Sequence, residues 1–199
     1  AKRVTDRGVR RPERELPQAK TSAEGMTGTE ILEVLNEHVT EQVVYINETT
    51  TLDLDYLERI SIDKPGRYHF PASGGLGFGL PAAVGFSLGD PGATVVATVG
   101  DGSANYGITA LYTAAQRQTR TVFVIVNNSG YGALAGFAKR MGVPDVPGLT
   151  LGGIDFVALA RGYGVPASAT TTRQEFEEAY RQALASEGPV LIDARIVND

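Results

Sequence analysis

The fold of this chain is decided by residues 94–128, TVVATVGDGSANYGITALYTAAQRQTRTVFVIVNN. Both ends of this stretch are apolar, and the pattern predicts one strand over 94–99 and another over 121–126. Residues 108–116 between them have helical spacing. Two uninterrupted apolar strands joined by one helix predict a parallel pair with a right-handed crossover.

The rest of the chain continues this alternation of short apolar runs and helical spacing. Thr27 and Glu30 have the spacing of a capping box, so a helix is predicted to begin after Thr27. Further strands are predicted at 43–46 and 189–194, and further helices around 133–140, at 154–163 with Asp155 as N-cap, and at 173–186. Residues 48–70 are expected to be polar and irregular. The predicted fold class is α/β, a doubly wound, mostly parallel sheet with helices on both faces.

The composition indicates one globular domain preceded by a basic segment. The chain has 199 residues, 42% hydrophobic and 21% charged, and no Cys, which excludes disulfides and thiolate metal sites. Residues 1–26 are predicted to be a basic interdomain linker or arm, and residues 27–199 the domain itself. The net charge of −5 disfavours a nucleic-acid partner. Since no apolar run is long enough to cross a bilayer, no membrane partner is expected and a cytoplasmic location is the default.

Polar residues follow both strands of the opening stretch where each strand ends. Gly100-Asp101-Gly102 comes directly after the first strand, and Asn127-Asn128 comes directly after the second. The carboxyl ends of parallel strands share one edge of the sheet, where such sheets bind ligands. A carboxylate and an amide oxygen suit Mg²⁺ or Ca²⁺, but Mg²⁺ needs further oxygens, which phosphates and water supply. Glycines and the start of a helix favour close approach of phosphate, so a diphosphate is expected.

This pair of motifs resembles the signature of thiamine diphosphate-dependent enzymes. The closer resemblance is to benzoylformate decarboxylases, and it is carried by residues 74–78 (GGLGF), 100–106 (GDGSANY), 131–134 (YGAL), 146–149 (VPGL) and 153–156 (GIDF). It covers residues 27–197. The resemblance implies that residues 27–199 are the C-terminal domain of a larger enzyme, one that binds thiamine diphosphate and Mg²⁺ or Ca²⁺. The implied reaction is decarboxylation of a 2-oxo acid, benzoylformate to benzaldehyde and CO₂.

The resemblance also implies roles for individual residues near the cofactor. Metal ligands would be Asp101, the Asn128 side chain and the backbone oxygen of Gly130, where the family often has Thr. Contacts to the diphosphate would come from Thr50, Thr51, Gly102, Ser103, Tyr131 and Gly132. Leu76 would support the bent, V-shaped cofactor, and the Gly74 carbonyl would face its aminopyrimidine. The substrate pocket would be lined by Phe70, Pro71, Ala133, Leu134 and Phe137.

The acid and base groups of such an enzyme are not expected on this chain. His38 and His69 are interpreted as structural, and Glu48 as a hydrogen-bonding or capping residue. The resemblance places the catalytic histidines and the activating glutamate on the missing pyrimidine-binding and middle domains, in a homo-oligomer that is a dimer or tetramer. The chain alone is therefore predicted to be inert, with no catalytic residue of its own and an apolar exposed face near Leu76 and Phe78.

Two alternatives remain open from the sequence. Pro71 and Ala135-Gly136 depart from the benzoylformate decarboxylase pattern, which leaves room for an acetolactate-synthase-like carboligase or another 2-oxo acid decarboxylase. The second alternative is a stand-alone, non-catalytic binding subunit. A dinucleotide-binding domain is disfavoured, because the glycine-rich residues 74–79 do not lie between the first strand and its helix.

Overall fold

The computed structural model describes residues 18–62, 64–143 and 145–197. Within them the elements are, in chain order, α1 Gly28–Glu37, β1 Val43–Glu48, α2 Asp53–Arg59, β2 Tyr68–His69, α3 Gly79–Gly89, β3 Thr94–Gly100, α4 Asp101–Gly107, α5 Ala110–Arg117, β4 Thr121–Asn127, α6 Gly132–Arg140, α7 Phe156–Gly162, β5 Ala167–Thr170, α8 Arg173–Leu184 and β6 Val190–Arg195. The predicted alternation of strands and helices is confirmed.

The six strands form one sheet in the order β2-β1-β3-β4-β6-β5, and every neighbouring pair is parallel. From β1 the chain leaves towards β2 on one side, whereas from β3 it continues towards β4 on the other. A topological switch point therefore lies between β1 and β3, where open α/β sheets form a ligand crevice at the strand ends. Glu48 at the end of β1 pairs with Val99 of β3, so these ends are level.

Helices cover both faces of the sheet, as a doubly wound fold requires. Helices α1, α2 and α8 bury one set of strand side chains, while α3, α5 and α7 bury the other. Adjacent strand residues divide between the two cores: Tyr45 belongs to the first and Ile46 to the second. This alternation is why β4 is buried at every position and apolar from Val122 to Val126.

The predicted helix starts agree with the observed caps. The Thr27 side chain accepts the Glu30 N–H, and the Glu30 carboxylate accepts the Thr27 N–H, which is a complete capping box. Asp155 is the N-cap of α7 and accepts the Ala158 N–H. Each cap satisfies donors that have no partner within the helix.

The prediction that residues 48–70 are irregular is wrong in part, since they contain α2 and β2. Helix α2 spans seven residues and has no side-chain cap, and two of its leucines, Leu54 and Leu57, are exposed. The strand β5 was also not predicted, because it is short and largely exposed at the edge of the sheet. Such elements depend on tertiary pairing rather than on a periodic apolar pattern.

The segment before α1 is tied to the domain where the structure describes it. The Ala19 and Lys20 N–H groups donate to Glu33 and Thr29, and Met26 is buried. Residues 1–17 of the predicted linker lie outside the described residues. No helix in the described part of the chain is long and apolar enough to span a membrane.

Candidate cofactor-binding site

A cavity of about 220 Å³ opens at the carboxyl ends of β1, β3 and β4, beside the switch point. Separate stretches of chain meet there, although up to 147 positions separate them in the sequence (Thr49 to Ile196). The sequence-predicted site residues that line it are Thr50, Thr51, Gly74, Leu76, Asp101, Gly102, Ser103, Asn128, Gly130, Tyr131, Gly132, Ala133 and Leu134. The cavity therefore brings together most residues that the resemblance singled out.

Asp101 connects two of these stretches. It begins α4 directly after β3, and only 3% of it is exposed. One carboxylate oxygen accepts the Gly102 N–H at 2.9 Å, and the other accepts the Gly130 N–H at 2.9 Å. Burial raises the pKa of the Asp101 carboxyl, and the backbone hydrogen bonds lower it by less. An electropositive partner in the cavity would favour the charged carboxylate.

The loop 127–132 after β4 is held from several sides. The Asn127 amide donates to Asp193 at 2.8 Å, and its oxygen accepts the Ser129 N–H at 3.0 Å. The N–H groups of Tyr131 and Leu151 complete a ladder with the Leu149 and Ser129 carbonyls, at 2.9 and 2.8 Å. Asn128, a predicted metal ligand, is thus presented on a fixed backbone.

Close packing explains the glycine at position 130. A Cβ there would lie 2.7 Å from the Leu149 carbonyl oxygen, much closer than an ordinary contact. Because it has no side chain, Gly130 can come close enough to form an antiparallel bridge with Thr150. Rather than loosening the loop, Gly130 allows a tight arrangement that a larger residue would displace.

The glycine-rich segment 74–79 forms another wall of the cavity. Gly74 has φ +67°, and Leu76, 36% exposed, lies at the cavity surface. The Glu48 carboxylate, only 1% exposed, accepts the N–H groups of Gly77 and Gly79. The interpretation of Glu48 as a hydrogen-bonding residue is confirmed.

Three residues predicted for the substrate pocket are not among those lining this cavity. Phe70 and Phe137 are each 56% exposed, and Pro71 is half-buried. Phe70 stacks on Tyr68, and the Arg140 guanidinium lies 4.4 Å from the centre of the Phe137 ring. The described residues therefore leave the Phe70 and Phe137 side chains largely open to solvent.

Both histidines make local contacts outside the cavity. A ring nitrogen of His38 lies 3.0 Å from the Val34 carbonyl, and one of His69 lies 3.1 Å from the Gly66 carbonyl. Within the described residues, the cavity lining contains one carboxylic acid, Asp101, and no histidine. The structural interpretation of the histidines agrees with these contacts.

Several residues of the site were not found from the sequence. Thr49, Val126 and Ile196 also line the cavity. Thr49 and Ile196 immediately follow β1 and β6, so the sheet order would have identified them once the ends of these strands were known to lie near the cavity. Asp193, which holds Asn127 from β6, had no sequence signal beyond an acid in an apolar strand.

Residues 50–194, well over half of the chain, match the family model of the thiamine pyrophosphate enzyme, C-terminal TPP binding domain. The chain belongs to this family. The matched range includes the residues predicted for the diphosphate and the metal at both strand ends, and the fold agrees with this family.

This thiamine pyrophosphate-binding domain is similar to decarboxylases and to synthases. It is 48% identical over 163 residues to a benzoylformate decarboxylase of Pseudomonas aeruginosa, an alignment covering 82% of the chain and 31% of the relative. It is 32% identical over 139 residues to an acetolactate synthase large subunit of Pyropia yezoensis, covering 66% and 23%.

A solved structure gives the same family with more of the chain aligned. The thiamine diphosphate-dependent 4-hydroxybenzoylformate decarboxylase of Rhodococcus jostii RHA1 superposes with a TM-score of 0.91 at 42% identity, covering 95% of this chain and 36% of that one. The chain thus spans about a third or less of the length of these relatives.

Proposed function

We propose that this chain forms the diphosphate- and metal-binding half of the active site of a 2-oxo acid decarboxylase whose substrate is benzoylformate. The observation that carries the proposal is the single cavity at the switch point, where Asp101, Asn128 and the glycine-rich segment meet. Each stretch alone is common, whereas their convergence on a buried carboxylate at a sheet edge is specific to binding a charged cofactor.

The donor set fits a hard cation bound together with phosphate. Asp101, the Asn128 side chain and the Gly130 carbonyl would hold Mg²⁺ or Ca²⁺, and phosphate oxygens and water would complete the shell. The described residues contain no group of three or more His, Cys, Asp or Glu that could hold a metal unaided. A cation is therefore expected to bind here only with the diphosphate.

The remaining lining residues fit the rest of the cofactor. Thr50, Thr51, Gly102, Ser103, Tyr131 and Gly132 would surround the diphosphate, and Gly74 would face the aminopyrimidine. Leu76 would support the bend between the two rings and keep water away from them. When bound, thiamine diphosphate supplies the electron sink that accepts the electrons left as CO₂ departs.

The substrate assignment is supported by apolar residues in the cavity lining and by the names of two relatives. Ala133, Leu134 and Leu76 line the cavity. An apolar site favours decarboxylation, because a charged carboxylate is lost as a neutral product forms. A carboligase of the acetolactate synthase type is the second candidate, favoured by the small residues Ala135 and Gly136 on α6.

The other half of the site would come from domains outside this chain. With no histidine and one carboxylic acid among the described lining residues, the acid and base groups must be supplied elsewhere. Exposed Leu76, Phe78, Tyr106 and Tyr112 offer apolar area for a pyrimidine-binding domain, in a dimer or tetramer. The chain alone would therefore be inert. The complete enzyme would be cytoplasmic, with no nucleic-acid or membrane partner.

The test is turnover by the complete protein that contains this chain, with thiamine diphosphate and Mg²⁺, offered benzoylformate and pyruvate separately. Benzaldehyde and CO₂ from benzoylformate are expected. Acetolactate from pyruvate alone would instead establish the carboligase. A cofactor-binding chain that supports neither reaction in any assembly would establish the stand-alone binding subunit.

Two matched variants control this assay. Asp101→Ala removes the proposed metal ligand and is expected to abolish turnover. Asp155→Ala removes an aspartate that caps α7 outside the cavity and is expected to retain it. Equal activity in both variants would contradict the assignment of the site.

A further inference from the structure

Glu48 is a buried carboxylate whose position is not explained by cofactor or metal binding. It is the last residue of β1 and is 1% exposed, and its side chain is not among those lining the cavity. The next residues, Thr49 to Thr51, do line it. A carboxylate is costly to bury unless it accepts hydrogen bonds, so its partners indicate its role.

Those partners are backbone groups of the cavity wall. One carboxylate oxygen accepts the N–H of Gly77, and the other accepts the N–H of Gly79 at the start of α3. The two acceptors therefore clamp a stretch that lies 29 and 31 positions further along the chain. Hydrogen bonds in which the acceptor is ionised are about twice as strong as neutral ones.

The Glu48 carboxylate can approach the backbone this closely because Gly77 and Gly79 have no side chains. A Cβ on Gly79 would lie 2.9 Å from a Glu48 carboxylate oxygen and 2.7 Å from a Val99 methyl group. Gly77 has φ +98°, a conformation that favours glycine, and its backbone lies against Tyr106. The backbone is thus shaped to present two N–H groups to one carboxylate.

The segment has few other hydrogen bonds to the fold. Apart from the start of α3, the backbone hydrogen bond described within 70–78 joins the Gly74 N–H to the Pro71 carbonyl, which is internal to the segment. Among the described residues, Glu48 supplies the hydrogen bonds that join 74–79 to the sheet. Leu76 and Gly74 on this segment face the cavity.

We infer that Glu48 is a positioning residue, which sets Leu76 and Gly74 against the bound cofactor by clamping the Gly77 and Gly79 backbone. The inference rests on the proposed function, because only a cofactor in the cavity gives the placement of Leu76 a catalytic consequence. Glutamate is required because it carries two acceptor oxygens. Glutamine offers one acceptor and directs an NH₂ group at the second N–H.

The test compares Glu48→Gln and Glu48→Ala with the control Glu175→Gln in the complete protein. Glu175 also accepts two backbone N–H groups, from Thr171 and Thr172, but it lies on α8 and is exposed. The first readout is amide hydrogen exchange without cofactor in the peptide covering 70–80, with the β6 peptide as reference. This readout does not depend on what reaction the enzyme catalyses.

Exchange in 70–80 is expected to accelerate at least about tenfold in Glu48→Gln, more in Glu48→Ala, and not at all in Glu175→Gln. The β6 peptide should be unchanged in the glutamine variant. Equal acceleration in both peptides would reduce Glu48 to a general stability role and overturn the inference. Unchanged exchange in 70–80 would overturn it as well.

The second readout is the split between kcat and KM. Glu48→Gln should lower kcat at least about tenfold and change the KM for the 2-oxo acid less than about threefold, because substrate contacts lie elsewhere. A kcat equal to the wild type would contradict the positioning role. If the wild-type protein itself has no decarboxylase activity, the proposed function fails, while the exchange result still decides whether Glu48 clamps the segment.

Discussion

The two glycine-containing walls of the cavity are held in place in different ways. Among the described residues, the hydrogen bonds that join the segment 74–79 to the sheet come from one side chain, Glu48. The loop 127–132 is held by Asp101, by Asn127 and by the backbone ladder to residues 149–151. The hydrogen bonds of one wall thus depend on one side chain, and those of the other come from several independent groups.

The difference has consequences for how each wall responds to change. Glycines give a chain the most conformational freedom to lose on folding, so a segment rich in them needs a strong local restraint. Removing the Glu48 carboxylate should therefore increase the mobility of the whole segment 74–79. Removing one restraint of 127–132 should leave the loop in place, since the others persist.

The largest effect is expected from Gly79→Ala. The new Cβ, at the start of α3, would lie 2.7 Å from a Val99 methyl group and 2.9 Å from a Glu48 carboxylate oxygen. Both of these side chains are buried. Overpacking of this kind destabilises by up to about 3 kcal/mol, and here it would also displace the clamping carboxylate. Urea unfolding of the chain, with hydrogen exchange over 70–80, measures both consequences.

Gly85→Ala is the matched control for this substitution. Gly85 lies in the same helix, α3, and a Cβ there would have no atom within 4 Å. Since alanine is favoured over glycine in a helix by about 1 kcal/mol, this variant should be as stable as the parent or more so. Equal losses in both variants would show that the contacts with Glu48 and Val99 are not the cause of the destabilisation.

A smaller effect, on binding rather than folding, is expected from Asp101→Asn. The variant keeps a hydrogen-bond acceptor but loses the charge, so Mg²⁺-dependent affinity for thiamine diphosphate should fall roughly 10–100-fold. Burial raises the pKa of this carboxyl, so the parent should bind the cation more tightly as pH rises through that pKa. In the cation-free chain, the same rise in pH lowers the free energy of unfolding, because the folded state binds the Asp101 proton more tightly than the unfolded state does.

Asp193→Asn separates this effect from the general loss of a buried acid. Asp193 is fully buried and holds Asn127 and Arg195, yet it does not line the cavity. The Asp193→Asn substitution should lower the free energy of unfolding and leave the pH dependence of cation binding unchanged. Isothermal titration of both variants across the acidic range distinguishes them. A pH dependence that survives in Asp101→Asn would assign it to another group.

The sequence was sufficient for the architecture because its central strands are short, nearly continuous apolar runs separated by helical patterns, as a sheet covered on both faces requires. Asp101 and Asn128 could be placed together because each directly follows such a strand, and parallel strands end at one edge. The contact between Glu48 and Gly77 could not be predicted in this way. It depends on the path of an irregular segment, which no periodic pattern describes.

The same limit applies to the residues predicted for the substrate pocket. Ala133, Leu134, Phe70 and Phe137 were all assigned by resemblance. Ala133 and Leu134 line the cavity, whereas the Phe70 and Phe137 side chains are exposed and are not among its lining residues. Under the proposed function, further domains would complete their environment, so neither the periodicity nor the fold of this chain determines it.

The smallest effect is expected from Asn127→Ser, which tests whether the loop 127–132 is held redundantly. Serine cannot span from Asp193 to the Ser129 N–H, so a buried carboxylate loses one donor at a cost of about 1–2 kcal/mol in unfolding free energy. The bonds from Asp101 to Gly130 and from Leu149 to Tyr131 do not involve this side chain. Hydrogen exchange in the loop, and cofactor affinity, should therefore change less than about threefold. A larger change, comparable to that of Glu48→Gln in its own segment, would mean that both walls depend on single side chains and that the contrast between them does not hold.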